Sequence, residues 1–131
     1  MGVCLMQVRD IREALAEALA NAGFRVYDVL PESGQLPLAA VSWPDSLRYH
    51  RTGADGVELD LVVTVAVSLT DFARAQRDID NVMSTPGLGT EIETYETDAW
   101  HDAVCISSSN VRQIDVGSPA LAVDLNLSIL A

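Results

Sequence analysis

From Ala120 to Ala131 the chain alternates strictly, with Leu121, Val123, Leu125, Leu127 and Ile129 on one parity and Asp124, Asn126 and Ser128 on the other. Period-two alternation places these sets on opposite faces of a strand, one seeking a core and the other water or a partner. At about 3.3 Å per residue such a strand runs roughly 35 Å, against a usual length of about five or six residues. A second segment repeats the pattern: Leu59, Leu61, Val63, Val65 and Val67 alternate with Glu58, Asp60, Val62, Thr64, Ala66 and Ser68. Two long strands therefore carry one design.

Elsewhere the period is helical. Ile11, Leu15, Ala18, Leu19 and Ala22 make one apolar stripe opposite Arg12, Glu13, Glu17 and Asn21. Asp10 with Glu13 reads as a capping box, and Gly23 stands where a left-handed C-cap is wanted. A second helix runs to about Met83 from a cap at Ser68 or Thr70, with Phe72, Ala75, Ile79, Val82 and Met83 inward, and Thr85-Pro86-Gly87 stops it. A short helix or turn over about 90–97 carries Ile92 and Tyr95 to the core.

Shorter strands follow from the same reasoning. Residues 24–29 alternate up to Pro31, and Leu38 to Trp43 reads as a mostly buried strand bracketed by Pro37 and Pro44, which cannot donate ladder hydrogen bonds. Asp55-Gly56 marks a hairpin between Leu47–Thr52 and Glu58–Leu69. A two- or four-residue loop puts Arg48 and His50 on the apolar face. A five-residue loop, 53–57, aligns Leu47 and Tyr49 with that face and sets His50 near Asp60, and is favoured. Strands at 102–108, 111–116 and 119–130 complete the chain, divided at Ser108-Ser109-Asn110 and Gly117-Ser118-Pro119. The fold class is α+β: a largely antiparallel sheet with two main helices packed on one face.

Composition changes little in that picture. The 131 residues suit a single domain, with 1–5 a loose N-terminal extension, and need no disulfide or metal to fold. Cys4 and Cys105 fit no zinc spacing and are expected as free thiols. The first residues lack the basic start of a signal peptide, and no run is long and apolar enough to span a membrane, so a cytosolic chain is expected.

Charge says more. Nineteen acidic residues face eight basic ones, all arginine, for a net charge of −11. That balance disfavours sequence-independent phosphate binding, because affinity for nucleic acid comes mainly from basic side chains that neutralise phosphates. The acidity serves either solubility through self-repulsion or a surface that repels a polyanion.

Candidate chemistry is sparse. Gly87-Leu88-Gly89 is a GxG without the rest of a dinucleotide fingerprint and reads as a turn. His50 and His101 have no metal-ligand spacing. Glu91, Glu93, Glu96, Asp98 and Asp102 lack the order of a calcium loop and read as a solvated face. No serine lies in a nucleophile elbow, and Trp43 and Trp100 read as core or rim aromatics. No catalytic residue, cofactor or metal ligand is assigned.

The order of elements is more specific than any motif. A helix "IREALAEALANAG", a Pro-bounded "LPLAAVSWP", a long strand "ELDLVVTVAVS", a helix "TDFARAQRDIDNVM" and a closing "SPALAVDLNLSIL" together resemble the tail terminator proteins of long-tailed bacteriophages. Related neck and head-completion proteins look similar at this level.

The resemblance implies a structural virion protein without catalysis, assembled in the host cytoplasm. It forms a homo-oligomeric ring, usually a hexamer, that stops polymerisation of the tail tube and offers a surface to the head–tail connector. The tail tube protein and the connector are then its partners, while DNA passes through unbound and no membrane is involved. A small ligand-binding module is the alternative. For a contact surface, Arg48, Tyr49, His50 and Arg51 gather scarce positive charge and an aromatic, as interfaces favour. An acidic channel lets DNA pass without holding its phosphates. Its wall is expected to draw on Glu58, Asp60, Asp124 and the 91–102 run.

Overall fold

The computed structural model describes residues 8–41, 46–49, 57–84, 87–100 and 102–130. The expected N-terminal extension, the Asp55-Gly56 turn, Cys4, Trp43, His50, Arg51, His101 and Thr85-Pro86 lie outside them.

The chain opens with helix α1 (Val8–Asn21), then strands β1 (Arg25–Tyr27), β2 (Leu38–Val41), β3 (Ser46–Tyr49) and β4 (Val57–Ser68). Helices α2 (Phe72–Met83) and α3 (Leu88–Glu93) lead to strands β5 (Asp102–Asp115) and β6 (Pro119–Leu130). Among the described residues six strands form one mixed sheet in the order β1-β2-β4-β6-β5, with β3 also on β4, and only β1 and β2 pair in parallel. The fold is α+β, with the helices on one face.

The two long strands pair with each other. β4 and β6 run antiparallel from Glu58 opposite Leu130 to Ser68 opposite Ala120, without a break. Their apolar parities coincide, so Leu59, Leu61, Val63 and Val65 join Val123, Leu125, Leu127 and Ile129 in one layer, all essentially fully buried. Onto this layer α1 sets Ile11, Leu15 and Leu19, α2 sets Ala75, Ile79 and Val82, and α3 sets Leu88 and Ile92. Trp100 is buried in the same core beside Tyr95, their ring centroids 6.3 Å apart.

Helix ends follow local chemistry. At the end of α1, Gly23 has φ +101°, its N–H donates to Ala20 O and Phe24 N–H donates to Leu19 O. This is the Schellman arrangement, which needs a left-handed residue that glycine supplies without strain. Asp10, read as a cap, instead lies inside α1, because the helix already includes Val8. α2 is capped by Asp71, whose carboxylate accepts from Arg74 N–H. Neither Ser68 nor Thr70 does this: β4 continues through Ser68, and the two hydroxyls bond each other at 3.1 Å. Phe72, expected inward, is 55% exposed, since the buried stripe of α2 begins only at Ala75.

Three strand expectations change. The first strand stops at Tyr27, after which Arg12 Nη2 binds the carbonyls of Asp28 and Val41. In the hairpin, Leu47 pairs with Leu59 and Tyr49 with Val57, so the parity is as expected, but the register is shifted, with Ser46 opposite Asp60; His50 itself lies outside the described residues. A shift of an even number of residues leaves every side chain on its face, so hydrophobic patterning cannot detect it.

The largest change is at Ser108-Ser109-Asn110, which is not a turn. β5 runs through it as one strand from Asp102 to Asp115, with register shifts between Cys105 and Ser107 and between Ser109 and Arg112. Asn110, at φ +61°, absorbs the second bulge in a conformation asparagine tolerates better than most residues.

Candidate assembly surface

The sheet face turned away from the helices divides into two halves. At one end Leu38, Ala66, Ala120, Ala122 and Val116 form a small second core, with Tyr27, Leu36 and Ile114 packed on it. The segment between β1 and β2 is held there, its Gly34 N–H donating to Val116 O at 2.8 Å and Gln35 N–H donating to the Tyr27 hydroxyl at 3.2 Å.

The other half is polar. Asp124 is its centre: Oδ1 accepts from the Thr64 hydroxyl at 2.8 Å and from Arg112 Nη1 at 3.1 Å, and Oδ2 accepts from Asn110 Nδ2 at 3.2 Å. Asn126 Nδ2 donates to the hydroxyls of Ser107 and Ser109, each at 3.0 Å. The Ser128 hydroxyl donates to Glu58 Oε1 at 3.4 Å. Each bond is modest alone, but linked bonds fix the side chains and hold β5 to β6 across its bulges. Sequence reasoning missed Ser107, Ser109, Asn110 and Asn126. Their signal was a serine-rich run that could also be strand, if something polar lay opposite it.

Glu58, Asp60 and Asp124 share this face. The 91–102 run is split: Glu91 and Glu93 lie on α3, on the helix side of the sheet, where Glu93 Oε2 accepts from Cys105 N–H at 2.9 Å, whereas Asp102, opposite Leu130 in β5, falls on the same face as Glu58. Asp124 is also not a bare carboxylate, because Arg112 stands on it with the pair only partly exposed. Burial, and then the Glu93 carboxylate, push the Cys105 thiol above its ordinary range. The bond to Glu17 at 2.8 Å raises the Tyr95 phenol likewise, with partial desolvation and the Glu17 charge adding to it.

Of the proposed contact residues, Arg48 lies opposite Glu58 and Tyr49 opposite Val57 in β3, while His50 and Arg51 fall outside the described residues. Gly87-Leu88-Gly89 begins α3. Gly87 is its N-cap, and a Cβ at Gly89 would stand 3.0 Å from the Cys105 Cβ and Sγ, so the glycine lets α3 approach β5.

A cleft of about 860 Å³ opens between α2, α3 and the end of β4. Phe24, Val67, Val82 and Leu88 line it together with Arg74 and Asp78. Among the described residues no group of three His, Cys, Asp or Glu side chains is placed to hold a metal ion, and no helix is long and apolar enough to cross a membrane. The chain matches no protein-family model and no curated protein sequence.

Proposed function

We propose that the chain is a structural subunit of the head-proximal end of a phage tail. There it forms a homo-oligomeric ring, a hexamer in the reading from resemblance, that ends tube polymerisation and presents a surface for head–tail joining. The observation that carries the proposal is the sheet: two strands paired over nearly their whole length, sealed by helices on one side, half solvated on the other, with long strand β5 at an edge. Such a sheet is a rigid plate with a free edge and a patterned face, which suits a repeated contact between copies better than a monomer's needs.

If the polar half-face lines the channel, the carboxylates it presents are those of Glu58, Asp60 and Asp124, the last paired with Arg112. The partners are then the tail tube protein and the head–tail connector, and DNA passes without specific binding. Electron microscopy of tube protein assembled with and without the chain tests this. Rings at the ends of tubes of limited length are expected. A chain that remains monomeric, is absent from tube ends and leaves tube length unchanged would overturn the reading. Labelled chain found only between connector and head would make it a neck protein of the alternative kind.

The cleft favours a second reading, a small ligand-binding module. A screen of small amphiphilic molecules by thermal shift separates the two, since that module is stabilised by its ligand through mass action and the ring is not.

A further inference from the structure

The cleft between α2, α3 and the end of β4 measures about 860 Å³, inside the range of about 300–1,000 Å³ typical of small-molecule sites. Its floor is apolar and drawn from five parts of the chain: Phe24 after α1, Leu36 before β2, Val67 on β4, Val82 on α2 and Leu88 on α3. Val67, Val82 and Leu88 belong to the main core, which fixes the floor in place.

The rim is electrically one-sided. Asp71, Asp78 and Glu91 stand on it against the single cation Arg74. Its hydroxyls are already used: Ser68 and Thr70 bond each other, Thr90 Oγ1 accepts from Gly87 N–H at 3.3 Å, and Thr94 Oγ1 donates to Thr90 O at 2.8 Å. Asp71 caps α2. Among the described residues, the carboxylates of Asp78 and Glu91 have no hydrogen-bond or ion-pair partner. α2 also ends at this cleft, at Asn81 and Val82, with no basic residue in its last turn. The partial negative charge of its C-terminal carbonyls therefore adds to that of the carboxylates.

We propose that the cleft binds a small amphiphilic amine, whose apolar body covers Phe24, Val67, Val82 and Leu88 and whose ammonium group is held by Asp78 and Glu91. An anion would meet three carboxylates and a helix C-terminus for one guanidinium. The inference rests on the ligand-binding reading of the cleft and narrows its ligand to a cation.

Three probes that share one indole test it: tryptamine is cationic, tryptophol neutral and indole-3-propionate anionic. The full chain is titrated with each, calorimetry reading the affinity and the methyl resonances of Val67, Val82 and Leu88 reading the place. Tryptamine is expected to bind tightest and to shift those methyls. Asp78→Asn combined with Glu91→Gln should weaken it about three- to tenfold, the worth of two exposed charge pairs, and Arg74→Gln should tighten it. Glu13→Gln combined with Glu32→Gln removes the same charge from residues that do not line the cleft, and should change the affinity by less than about twofold. Equal losses in the two double variants, or tightest binding by tryptophol or indole-3-propionate, overturn the cationic site and leave the ligand-binding reading in place. Tryptamine that fails to shift the methyls overturns the proposal as well, and the broader amphiphile screen then decides the ligand-binding reading by itself.

Discussion

The two halves of the outer sheet face are built on the same pair of strands with the same alternation, yet one is dry and the other wet. Ala66 and Ala122 face each other with no exposure, while two residues along, Thr64 and Asp124 face each other in a hydrogen-bonded network. The difference lies in what lies above. The segment between β1 and β2 crosses the first half, and small alanines leave room for Tyr27 and Leu36. Among the described residues nothing equivalent packs on the second half, and there the side chains satisfy one another. Residue size under the cover and polarity beyond it record one division.

The sharpest way to break that comparison is to place the same charge in both halves. Ala66→Asp buries a carboxylate under the covering segment between Leu38 and Ala122, with no basic side chain opposite it in either neighbouring strand, and a loss of about 3–5 kcal/mol in urea unfolding is expected. Asn126→Asp places it in the wet half, where the hydroxyls of Ser107 and Ser109 can turn to donate. The expected loss there is about 1 kcal/mol or less. Equal losses would show that the two halves are not differently solvated.

Arg112 comes next. Arg112→Ala leaves Asp124 with only neutral donors, and a loss of about 1–2 kcal/mol is expected for this partly exposed, hydrogen-bonded pair. Raising the salt concentration should narrow the gap between variant and wild type, because the ionic share is screened. A gap insensitive to salt would assign the role of Arg112 to packing.

The smallest effect concerns Cys105, on β5 beside the wet half. Its thiol is raised above the ordinary value of 9.0, so the folded chain holds that proton more tightly than the unfolded one. The resulting stability is fully present below about pH 9 and is lost as pH rises through the folded value. Removing the Glu93 charge with Glu93→Gln lowers the folded value, so alkylation of Cys105 at mildly alkaline pH should speed up, by less than about tenfold. An unchanged rate would mean that burial alone raises the thiol.

Much of this architecture is legible in the sequence. The strict alternation of 119–130 and 58–68 can satisfy only a half-buried strand, and the stripes of α1 and α2 can satisfy only helices packed on one side. Gly23 announces its C-cap because few other residues adopt that backbone without strain. Parity alone puts Glu58, Asp60 and Asp124 on the polar faces of the two long strands, and the pairing of β4 with β6 makes those one face.

Only tertiary structure decided the rest, because it depends on partners distant in the chain. Patterning could not pair β4 with β6, since any antiparallel neighbour of the right parity would have served equally. It could not see that Asp60 faces Ser46, because an even shift preserves every face. The run at 108–110 looks like a turn in isolation and becomes strand because Asn126 and Asp124 lie opposite it to bond the Ser109 and Asn110 side chains. Asp124 likewise becomes half of an ion pair only when β5 brings Arg112 to it. Local sequence sets the period and the face of each strand, whereas register, cover and charge pairing are long-range contacts that exist only once the chain has folded.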